Sequence, residues 1–482
     1  MPIMITLDKY FAELSRYRGD ELSAEDEELI GTAFELGAKY HEGQKRANGD
    51  EYFEGHCIPV SYNVAQIHMP AEMIAAGLLH DTLEDTDLTK KQLLALCGED
   101  VCTMVDGVSK LSKIKYKGNE RHVESLRKFF VATAQDVRVV ILKLCDRWHN
   151  LETLEYLAPE KRERIAKESI VIHAQLASRL NMGKLATTLK DLAFPYAYPE
   201  EYAKTWAIVE STIKHGSATI ESIFQELHPI AKQTLGYDPQ MDKRVKSVYS
   251  TYQKLTRKDW NIDEIYDLVA LRVIVKTRED CYRMLGAIHG RWQPLPSRLK
   301  DYIALPKPNG YQSLHTTVMS GTGLMVEVQI RTMEMHIKNE YGIAAHHSYK
   351  NRSEGIGSGS FGWLGQLSTL NELNLSPDEY IHELQSDFFE TRIFALTPKG
   401  DVIDLPYGAS VLDFAYTVHS DIGDHAKGAI VNGIYRGIHT KVESEAVINV
   451  ITGPKVKPTI KWLDHVVTSQ ARSKIQKMLK ST

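Results

Sequence analysis

Over roughly the first 235 residues, apolar side chains recur three and four positions apart, and helix start and stop signals separate the segments. In LTKKQLLALCGED, Thr89 can cap the start of a helix, and Gly98 can take the left-handed conformation that ends it. The pattern predicts an all-α domain over residues 1–200, followed by connecting helices over residues 201–240.

The periodicity changes after these helices. DEIYDLVALRVIVKT is rich in β-branched residues and predicts a strand over Leu268–Val275, while TTVMSGTGLMVEVQIRT predicts a hairpin around Gly321–Gly323. Helical patterns flank these strands, so we predict a mixed α/β domain over residues 241–350. The Gly/Ser-rich stretch NRSEGIGSGSFG is typical of a connector, and residues 351–390 are assigned to linker and helix.

The C-terminal part opens with two short strands around a Pro-Lys-Gly-Asp turn and a short helix, which predicts a small β-rich module over residues 391–455. A basic amphipathic helix, VVTSQARSKIQKMLK, follows within residues 456–482. The predicted fold class is therefore multidomain, with an all-α module followed by α+β modules.

Composition narrows the function classes. With 482 residues, of which 43% are hydrophobic and 25% charged, the chain suits about three globular domains. A net charge of -5 argues against bulk attraction to nucleic acid, so a phosphate-binding site has to be local. The five cysteines contain no C-x-x-C pair, and neither a signal-peptide core nor an apolar membrane-length run is visible. We expect a cytoplasmic protein without membrane contact.

A histidine and three carboxylates lie within GLLHDTLEDT, directly after the apolar run MIAAGLL. On a continuous helix, His80 and Glu84 would be neighbours, as would Asp81 and Asp85, at the C-terminal end. Helix C-termini favour cations over carboxylates, so this cluster indicates a bound cation or a cationic partner. A lone His-Asp dipeptide is common by chance, and the interpretation therefore depends on further ligands.

Two other segments can supply those ligands: His56 in GHCIPV and Asp146 in ILKLCDRWHNLETL. With the His-Asp dipeptide they form a mixed nitrogen and oxygen set, which suits Mn²⁺ or Fe²⁺ and is less diagnostic of zinc. A metal ion held in this way activates a bound water and polarises a phosphoryl oxygen, which is the chemistry of phosphoester hydrolysis.

A second set of candidate residues lies in the α/β domain. The stretch KRVKSVYSTYQKLTRK holds six basic residues and no acidic one, and on a helix Lys246, Ser250 and Lys254 would share a face suited to a polyphosphate. In MVEVQIRT, Glu327 and its polar neighbours alternate with apolar residues, as in a strand that lines a cleft with one face. The alternative for the basic segment is a solvated surface helix without a ligand, and the alternative for MVEVQIRT is an edge strand that faces solvent. Within SRLKDYIALPKPNGYQSLHTT, Tyr311 offers a ring on which a base could stack.

HEGQKRANGDEYFEGH, LLHDTLEDT and CDRWHNLET resemble, in order and spacing, the metal-dependent HD hydrolase domain of the Rel/SpoT family of alarmone enzymes. The segment between Arg46 and His56 is one residue longer than the family pattern. The resemblance implies an Mn²⁺ ion held by His56, His80, Asp81 and Asp146. It also implies Glu84 and Asp85 as the catalytic pair, and Arg46, Asn150 and Thr153 as nucleotide contacts.

PKPNGYQSLHTT together with VEVQIRT is similar to the synthetase signature of the same family, a mixed α/β nucleotidyltransferase-like domain. The resemblance implies transfer of pyrophosphate from ATP to the 3′-hydroxyl of GDP or GTP. Mg²⁺ would be held by Asp267 and Glu327, with Glu327 also a candidate catalytic base. The implied ATP contacts are Arg244, Lys246, Ser250 and Lys254. Tyr311 would stack on guanine, surrounded by Lys300, Lys307, Asn309, Gln312 and His315.

TPKGDVIDLPYGASVLDFAYTVHSDIG is similar to the TGS domain, a small β-grasp module of long Rel/SpoT enzymes. His419 matches a histidine that reads the tRNA end in ribosome-activated relatives, so the ribosome, tRNA or a regulatory protein is a candidate partner. A core or turn histidine without a ligand is the alternative.

The resemblance implies a bifunctional enzyme of the stringent response. It would hydrolyse (p)ppGpp to GDP or GTP and pyrophosphate with Mn²⁺, and synthesise (p)ppGpp from ATP with Mg²⁺. Two alternatives stay open: a hydrolase-dominant enzyme with a weak synthetase, and a ribosome- or tRNA-binding regulator with vestigial catalytic sites. Running both reactions together would consume ATP without net product, so we expect one site to be competent at a time.

Overall fold

The computed structural model describes residues 5–19, 21–112, 136–262, 269–307, 309–320, 325–342, 392–443, 446–454 and 456–481. The chain divides into two compact units, which we describe separately. The first comprises Met1–Ser109 with Arg138–Gly355, and the second comprises Lys110–Val137 with Ile356–Thr482. Within the described residues, no helix combines the length and the apolar character that crossing a membrane would require.

Helices form the first part of the first unit, and we call its described residues within 5–109 and 138–235 the helical region. They are α1 (Leu7–Arg18), α2 (Ala24–Tyr40), α3 (Ile58–Gln66), α4 (Ala71–Leu79), α5 (Thr82–Asp85), α6 (Lys90–Ser112), α7 (Val137–Glu152), α8 (Pro159–Glu168), α9 (Ala174–Arg179), α10 (Gly183–Ala197) and α11 (Pro199–Leu235). Two π-helical turns, Phe53–Cys57 and Ser169–His173, precede α3 and α9. The predicted helical character of this part of the chain agrees with the structure.

One detail of these helices differs from the sequence prediction. The continuous helix through GLLHDTLEDT is wrong, because α4 ends at Leu79 and the chain turns at His80 and Asp81 before α5 begins. The predicted stop at Gly98 is confirmed, since the φ of +81° and ψ of 178° of this glycine are not helical, and two helical segments meet at a kink there within α6. In both places the helical pattern is present, but the backbone changes direction within it.

A five-stranded sheet with its helices forms the rest of the first unit, which we call the sheet region (residues 240–342). Its elements are β1 (Gln240–Val245), α12 (Val248–Arg257), β2 (Val269–Val275), α13 (Arg278–Arg291), β3 (Lys300–Asp301), β4 (Leu314–Met319), β5 (Met325–Thr332) and α14 (Met333–Tyr341). The strand order is β1-β2-β5-β4-β3, with β2 and β5 parallel and the other pairs antiparallel. The predicted hairpin is present as β4 and β5, and its turn lies outside the described residues.

One face of this sheet is apolar and the other is polar. Leu271, Val273, Val328 and Ile330 are fully buried or nearly so, and they pack with side chains of α11 and α13 in one core. The opposite face carries Glu327 and the polar residues in register with it. The core thus fixes the sheet from one side and leaves the other side for polar groups.

The helical region contacts the sheet region closely at the start of α10. Asn181 Nδ2 donates to the carbonyl oxygen of Lys338 at 2.8 Å. Gly183 lies so close to Asn339 that a Cβ atom there would be 2.7 Å from the Asn339 carbonyl oxygen. Gly342 has φ +58°, and a Cβ atom there would be 2.1 Å from the Leu180 carbonyl oxygen. Both positions therefore require glycine.

The second unit contains two small sheets and three helices among its described residues. These elements are β6 (Arg392–Leu396), β7 (Val402–Pro406), α15 (Val411–Val418), α16 (Ser420–Asp424), β8 (Ala426–Val431), β9 (Ile434–Arg436), β10 (Ile448–Thr452) and α17 (Ser469–Ser481). β6 and β7 form the predicted hairpin, and the other three strands are ordered β10-β8-β9. The predicted linker and helix over residues 351–390 lie outside the described residues.

A buried carboxylate attaches the C-terminal segment to α15. Asp413 is 0% exposed, and its side chain accepts hydrogen bonds from the Val467 amide at 3.0 Å and from the Thr468 amide at 2.9 Å. It also accepts from the Ser410 amide at 2.8 Å. We expect Asp413→Ala to lower the free energy of unfolding of this unit by about 3 kcal/mol, since several buried donors lose their acceptor.

Thermal denaturation, with hydrogen exchange of the Val467 and Thr468 amides as a local readout, measures the effect of the Asp413 substitution. The exposed Asp464 provides the control, because Asp464→Ala removes a carboxylate from the same unit without removing this acceptor. Equal stability of the two variants would contradict the assigned role of Asp413.

Candidate functional site

His56 lies in the π-helical turn Phe53–Cys57, which leads directly into α3. A π turn accommodates one more residue than the corresponding α turn and is common at functional sites. His56 is only 2% exposed, so the turn directs its imidazole into the protein interior.

Four predicted ligands converge at this point, and we call them the His/Asp cluster: His56, His80, Asp81 and Asp146. The Nε2 atoms of His56 and His80 are 3.2 Å apart. Asp81 Oδ2 lies 3.4 Å from His56 Nε2 and 3.0 Å from His80 Nε2. Asp146 Oδ1 lies 3.4 Å from His56 Nε2 and 3.9 Å from His80 Nε2. The π turn, the turn after α4 and helix α7 each contribute to the cluster.

These distances fit a metal ion. Adjacent ligands of an octahedral ion with bonds of about 2.1 Å are about 3 Å apart, which is close to the spacings observed. Two imidazole nitrogens and two largely buried carboxylates also offer four donor atoms to one cation. Burial would raise the pKa of Asp81 and Asp146, yet neighbouring positive groups, including His80 beside Asp81 and Lys143 beside Asp146, lower both pKa values.

Three side chains around the cluster were not identified from the sequence. Tyr52 donates to Asp81 Oδ2 at 2.7 Å, and Lys143 Nζ lies 2.8 Å from Asp146 Oδ2. His149 Nδ1 lies 2.9 Å from His56 Nδ1. Burial, followed by the charges of His56 and Arg46, lowers the pKa of His149 to about 3, so this ring is neutral. Such partners orient metal ligands.

The predicted nucleotide contacts meet at the edge of the His/Asp cluster. Arg46 Nη2 donates to Asn150 Oδ1 and to Thr153 Oγ1, each at 3.2 Å. Arg46 Nη1 lies 3.0 Å from His56 Nδ1, and Asn150 Nδ2 donates to Asp146 Oδ1 at 2.5 Å. One guanidinium therefore connects the predicted nucleotide contacts with two predicted metal ligands.

Glu84 and Asp85 lie on α5, directly after Asp81. Glu84 is partly buried, whereas Asp85 is exposed. Partial burial and then the charge of Asp81 raise the pKa of Asp85, which places this carboxylate within electrostatic reach of the His/Asp cluster.

The second set of candidate residues lies on the polar face of the sheet. β5 runs between β2 and β4, so the alternative of a solvent-facing edge strand is wrong. We call its polar residues and their partners the β5 cluster: Glu327, Gln329, Arg331, Tyr311 and His315. Gln329 donates to Glu327 at 2.7 Å, and Arg331 donates to Gln329 at 2.8 Å and to the Tyr311 hydroxyl at 3.0 Å.

His315 connects the two ends of the β5 cluster. Its Nε2 lies 2.8 Å from the Tyr311 hydroxyl, and its Nδ1 lies 3.2 Å from Glu327 Oε1. Burial lowers the pKa of His315, although Glu327 partly offsets this effect. The Tyr311 side chain is thus held by two polar partners, His315 and Arg331, of which Arg331 was not among the predicted site residues.

Register places Arg244 in the same row of the sheet as Glu327. Arg244 pairs with Ala270, and Ala270 pairs with Glu327. Paired residues of neighbouring strands project from the same face, so a small side chain separates the cation from the carboxylate. On this face the buried Ala270 therefore lies between two groups of opposite charge.

Lysines surround the same face. Burial and then the charge of Lys300 lower the pKa of Lys307, and Lys254 adds to this effect, so the three ammonium groups lie near one another. Lys307 Nζ is 4.6 Å from the centre of the Tyr302 ring and 5.0 Å from that of the Tyr311 ring. This concentration of positive charge suits a polyphosphate.

Several predicted residues of the second site have other surroundings. The helical position predicted for Lys246 is wrong, because α12 begins at Val248 after its Ser247 cap. The Ser250 amide donates to the Ser247 hydroxyl in that first turn. Asn309 Nδ2 donates to the Ser178 carbonyl oxygen at 3.2 Å, and its Oδ1 accepts from the Tyr311 amide, also at 3.2 Å.

Gln312 and Asp267 complete the predicted second site. The Gln312 amide donates to Asn339 Oδ1 at 3.1 Å, and its side chain donates to the Ile303 carbonyl oxygen at 3.3 Å. Asp267 lies outside the described residues.

His419 of the second unit is an exposed residue at the start of α16. Its Nδ1 accepts a hydrogen bond from the Asp421 amide at 3.2 Å. This contact is that of a turn histidine, the alternative considered for this position.

Comparison with known proteins gives three family matches along the chain. Residues 33–183 match the HD domain, residues 243–354 match the region found in RelA/SpoT proteins, and residues 393–452 match the TGS domain. The order is that of the three predicted modules. The first two matches contain the His/Asp cluster and the β5 cluster, respectively.

Similar proteins cover nearly the whole chain. A guanosine-3′,5′-bis(diphosphate) 3′-pyrophosphohydrolase of Aquifex aeolicus is 41% identical, over 94% of this chain and 65% of its own length. A GTP pyrophosphokinase of Myxococcus xanthus is 39% identical, over 97% of this chain and 62% of its own length. The bifunctional (p)ppGpp synthase/hydrolase SpoT of Escherichia coli is 39% identical, over 92% of this chain and 63% of its own length. The chain thus spans less than two thirds of the length of these relatives.

Among solved structures, the small alarmone synthetase 2 of Bacillus subtilis is similar, with a TM-score of 0.26 and 24% sequence identity. The match covers 34% of this chain and 94% of the synthetase chain.

Proposed function

The chain is a Rel/SpoT homologue, and we propose on this premise that it both hydrolyses (p)ppGpp and synthesises it from ATP and GDP or GTP. The observation that supports this proposal best is the convergence of His56, His80 and Asp146, with Asp81 close to both histidines, beside Arg46 and in a region separate from the β5 cluster. Two polar sites with different ligand chemistry suit two different reactions.

We propose the following roles for the first site. The His/Asp cluster would hold a divalent ion, with Mn²⁺ as our candidate, which activates water and polarises a phosphoryl oxygen when bound. Tyr52 and Lys143 fix the two carboxylate ligands through their short contacts. Arg46 would bind the nucleotide together with Asn150 and Thr153. The α5 carboxylates, Glu84 and Asp85, would orient the attacking water and transfer its proton.

The second site would transfer pyrophosphate. The predicted ATP contacts Arg244, Lys246, Ser250 and Lys254 would neutralise and orient the triphosphate. Glu327 would accept the proton of the ribose hydroxyl or hold Mg²⁺ together with Asp267. Tyr311 would stack on guanine, with Lys300, Lys307, Asn309, Gln312 and His315 around it. His315 would then orient Glu327 through their 3.2 Å contact.

Chelation tests the first reaction. We expect EDTA to abolish ppGpp hydrolysis and added Mn²⁺ to restore it, because the chelator would remove the ion that the four ligands are proposed to hold, and with it the activated water. Release of GDP and pyrophosphate measures the rate, and Mg²⁺ at the same concentration is the comparison for metal identity. Hydrolysis that continues unchanged in EDTA would contradict the metal site.

A hydrolase with a weak synthetase is the second candidate, and one observation favours it. The Tyr311 hydroxyl contacts Arg331 and His315, and the Tyr302 ring lies 6.0 Å from the Tyr311 ring, so guanine would have to displace neighbours to stack there. Incubation with ATP, GDP and Mg²⁺ separates the candidates, because only an active synthetase releases AMP.

We propose that the second unit serves as a contact module for the ribosome, tRNA or a regulatory protein, and that the protein acts in the cytoplasm. The exposed His419 supports this role, whereas its contact with the Asp421 amide supports a purely structural one. Salt-dependent tRNA binding that His419→Ala weakens would favour the first interpretation.

A further inference from the structure

Helix α12 carries two of the predicted ATP contacts, Ser250 and Lys254, and its first turn is capped from outside the sheet region. The amide groups of a first helical turn have no partner within the helix. The Ser247 hydroxyl accepts from the Ser250 amide at 3.2 Å. Asp191 Oδ1 accepts from the Tyr249 amide at 3.0 Å, and the chain separation between these two residues is 58 positions.

Asp191 lies on α10 of the helical region, and its carboxylate receives more than one donor. The Val248 amide and the Ser247 hydroxyl also interact with it, and these contacts partly offset the effect of burial, which raises its pKa. A helix N-terminus carries a partial positive charge that stabilises an anion. The carboxylate therefore takes the place at α12 that a phosphate group occupies in many nucleotide-binding proteins.

Ring packing supports the same attachment one turn further along α10. The Phe194 ring centre is 5.1 Å from that of Tyr249 and 5.0 Å from that of Tyr252. A polar contact at the helix end and an apolar contact along its side together fix both the position and the rotation of α12. The rotation matters because it determines which way Ser250 and Lys254 face.

We propose that Asp191 is a positioning residue for the pyrophosphate-transfer reaction: it holds α12 so that Ser250 and Lys254 face the polar side of the sheet. The inference rests on the proposed synthetase function. The positioning role further implies that ATP phosphates bind side chains of α12. They would not bind the first amide groups of α12, since the Asp191 carboxylate already accepts from those amides.

The test compares steady-state synthesis by the full chain and by Asp191→Ala. We expect the KM for ATP to rise about tenfold, because the loss of a charged hydrogen-bond acceptor releases the first turn of α12. The KM for GDP and the rate of ppGpp hydrolysis should stay within about twofold of the unchanged chain. Asp191→Asn keeps an acceptor oxygen and should recover most of the ATP affinity, while Glu200→Ala, an exposed position, serves as a matched control.

Three results would overturn the inference. A lower KM for ATP in Asp191→Ala would mean that the carboxylate competes with phosphate. Equal losses in hydrolysis, GDP affinity and thermal stability would mean that Asp191 only supports the fold, and an unchanged KM for ATP would mean that it does not position α12. By contrast, absence of AMP release by the unchanged chain would refute the proposed synthetase itself, and the positioning role with it.

Discussion

Replacing Asp81 with alanine is expected to reduce (p)ppGpp hydrolysis by about 10³-fold or more while leaving pyrophosphate transfer intact. The carboxylate lies 3.0 Å from His80 Nε2 and 3.4 Å from His56 Nε2, so its removal takes one of four converging ligands from the proposed metal ion. A metal-bound water contributes several kcal/mol to such a reaction, and about 4 kcal/mol corresponds to that loss. Initial rates of pyrophosphate release measure the effect.

Two further variants make the Asp81 experiment specific. Tyr52→Phe removes only the hydroxyl that donates to Asp81, and a loss of about 10- to 100-fold is expected from an outer partner of a metal ligand. Asp87→Ala removes an exposed carboxylate six positions along the chain and should have no effect. If Asp81→Ala retained hydrolysis, or if it abolished synthesis as well, the proposal of an independent metal site would be wrong.

The reverse result is expected for Glu327→Gln, which should lower pyrophosphate transfer by about 10³-fold and leave hydrolysis unchanged. The substitution keeps the size of the side chain but removes the only charge on the polar face of β5 that can bind a cation or accept a proton. Loss of a catalytic base alone accounts for about 10²- to 10⁴-fold. AMP release from ATP and GDP measures synthesis, and ppGpp breakdown in the same preparation measures hydrolysis.

Glu334 is the matched control for Glu327, because it is an exposed glutamate on α14 and Glu334→Gln changes the net charge identically. Full synthesis in Glu327→Gln would exclude both proposed roles of this carboxylate. A parallel loss of hydrolysis would show that the β5 cluster and the His/Asp cluster do not act independently.

The convergence of the four predicted ligands could be anticipated from the sequence because the motifs that carry the HD resemblance are local, whereas the side chains that contact these four residues could not. His149 lies on the same helix as Asp146, three positions later, which was the available signal for it. Tyr52 and Lys143 gave no such signal, since their contacts depend on how the helices pack. The π turn at His56 likewise becomes visible only in three dimensions.

In the sheet region, alternation along β5 predicted a polar face but could not decide between an edge strand and an interior strand. That distinction depends on strand order, which a single sequence does not encode locally. The misplacement of Lys246 has a simpler cause, because Ser247 was a readable N-cap signal that would have started α12 after Lys246. The position of Asn309 beside Ser178 depends on the contact between the two regions and had no sequence signal.

Helix α10 is joined to the sheet region at two places, near Gly183 through tight backbone contact and at Asp191 through the cap of α12. These places are eight positions apart, or about 12 Å along the helix axis. If helix α10 rotated about one of these contacts, the other contact would be lost. Tilting of the two regions relative to each other would therefore have to break at least one of these two contacts.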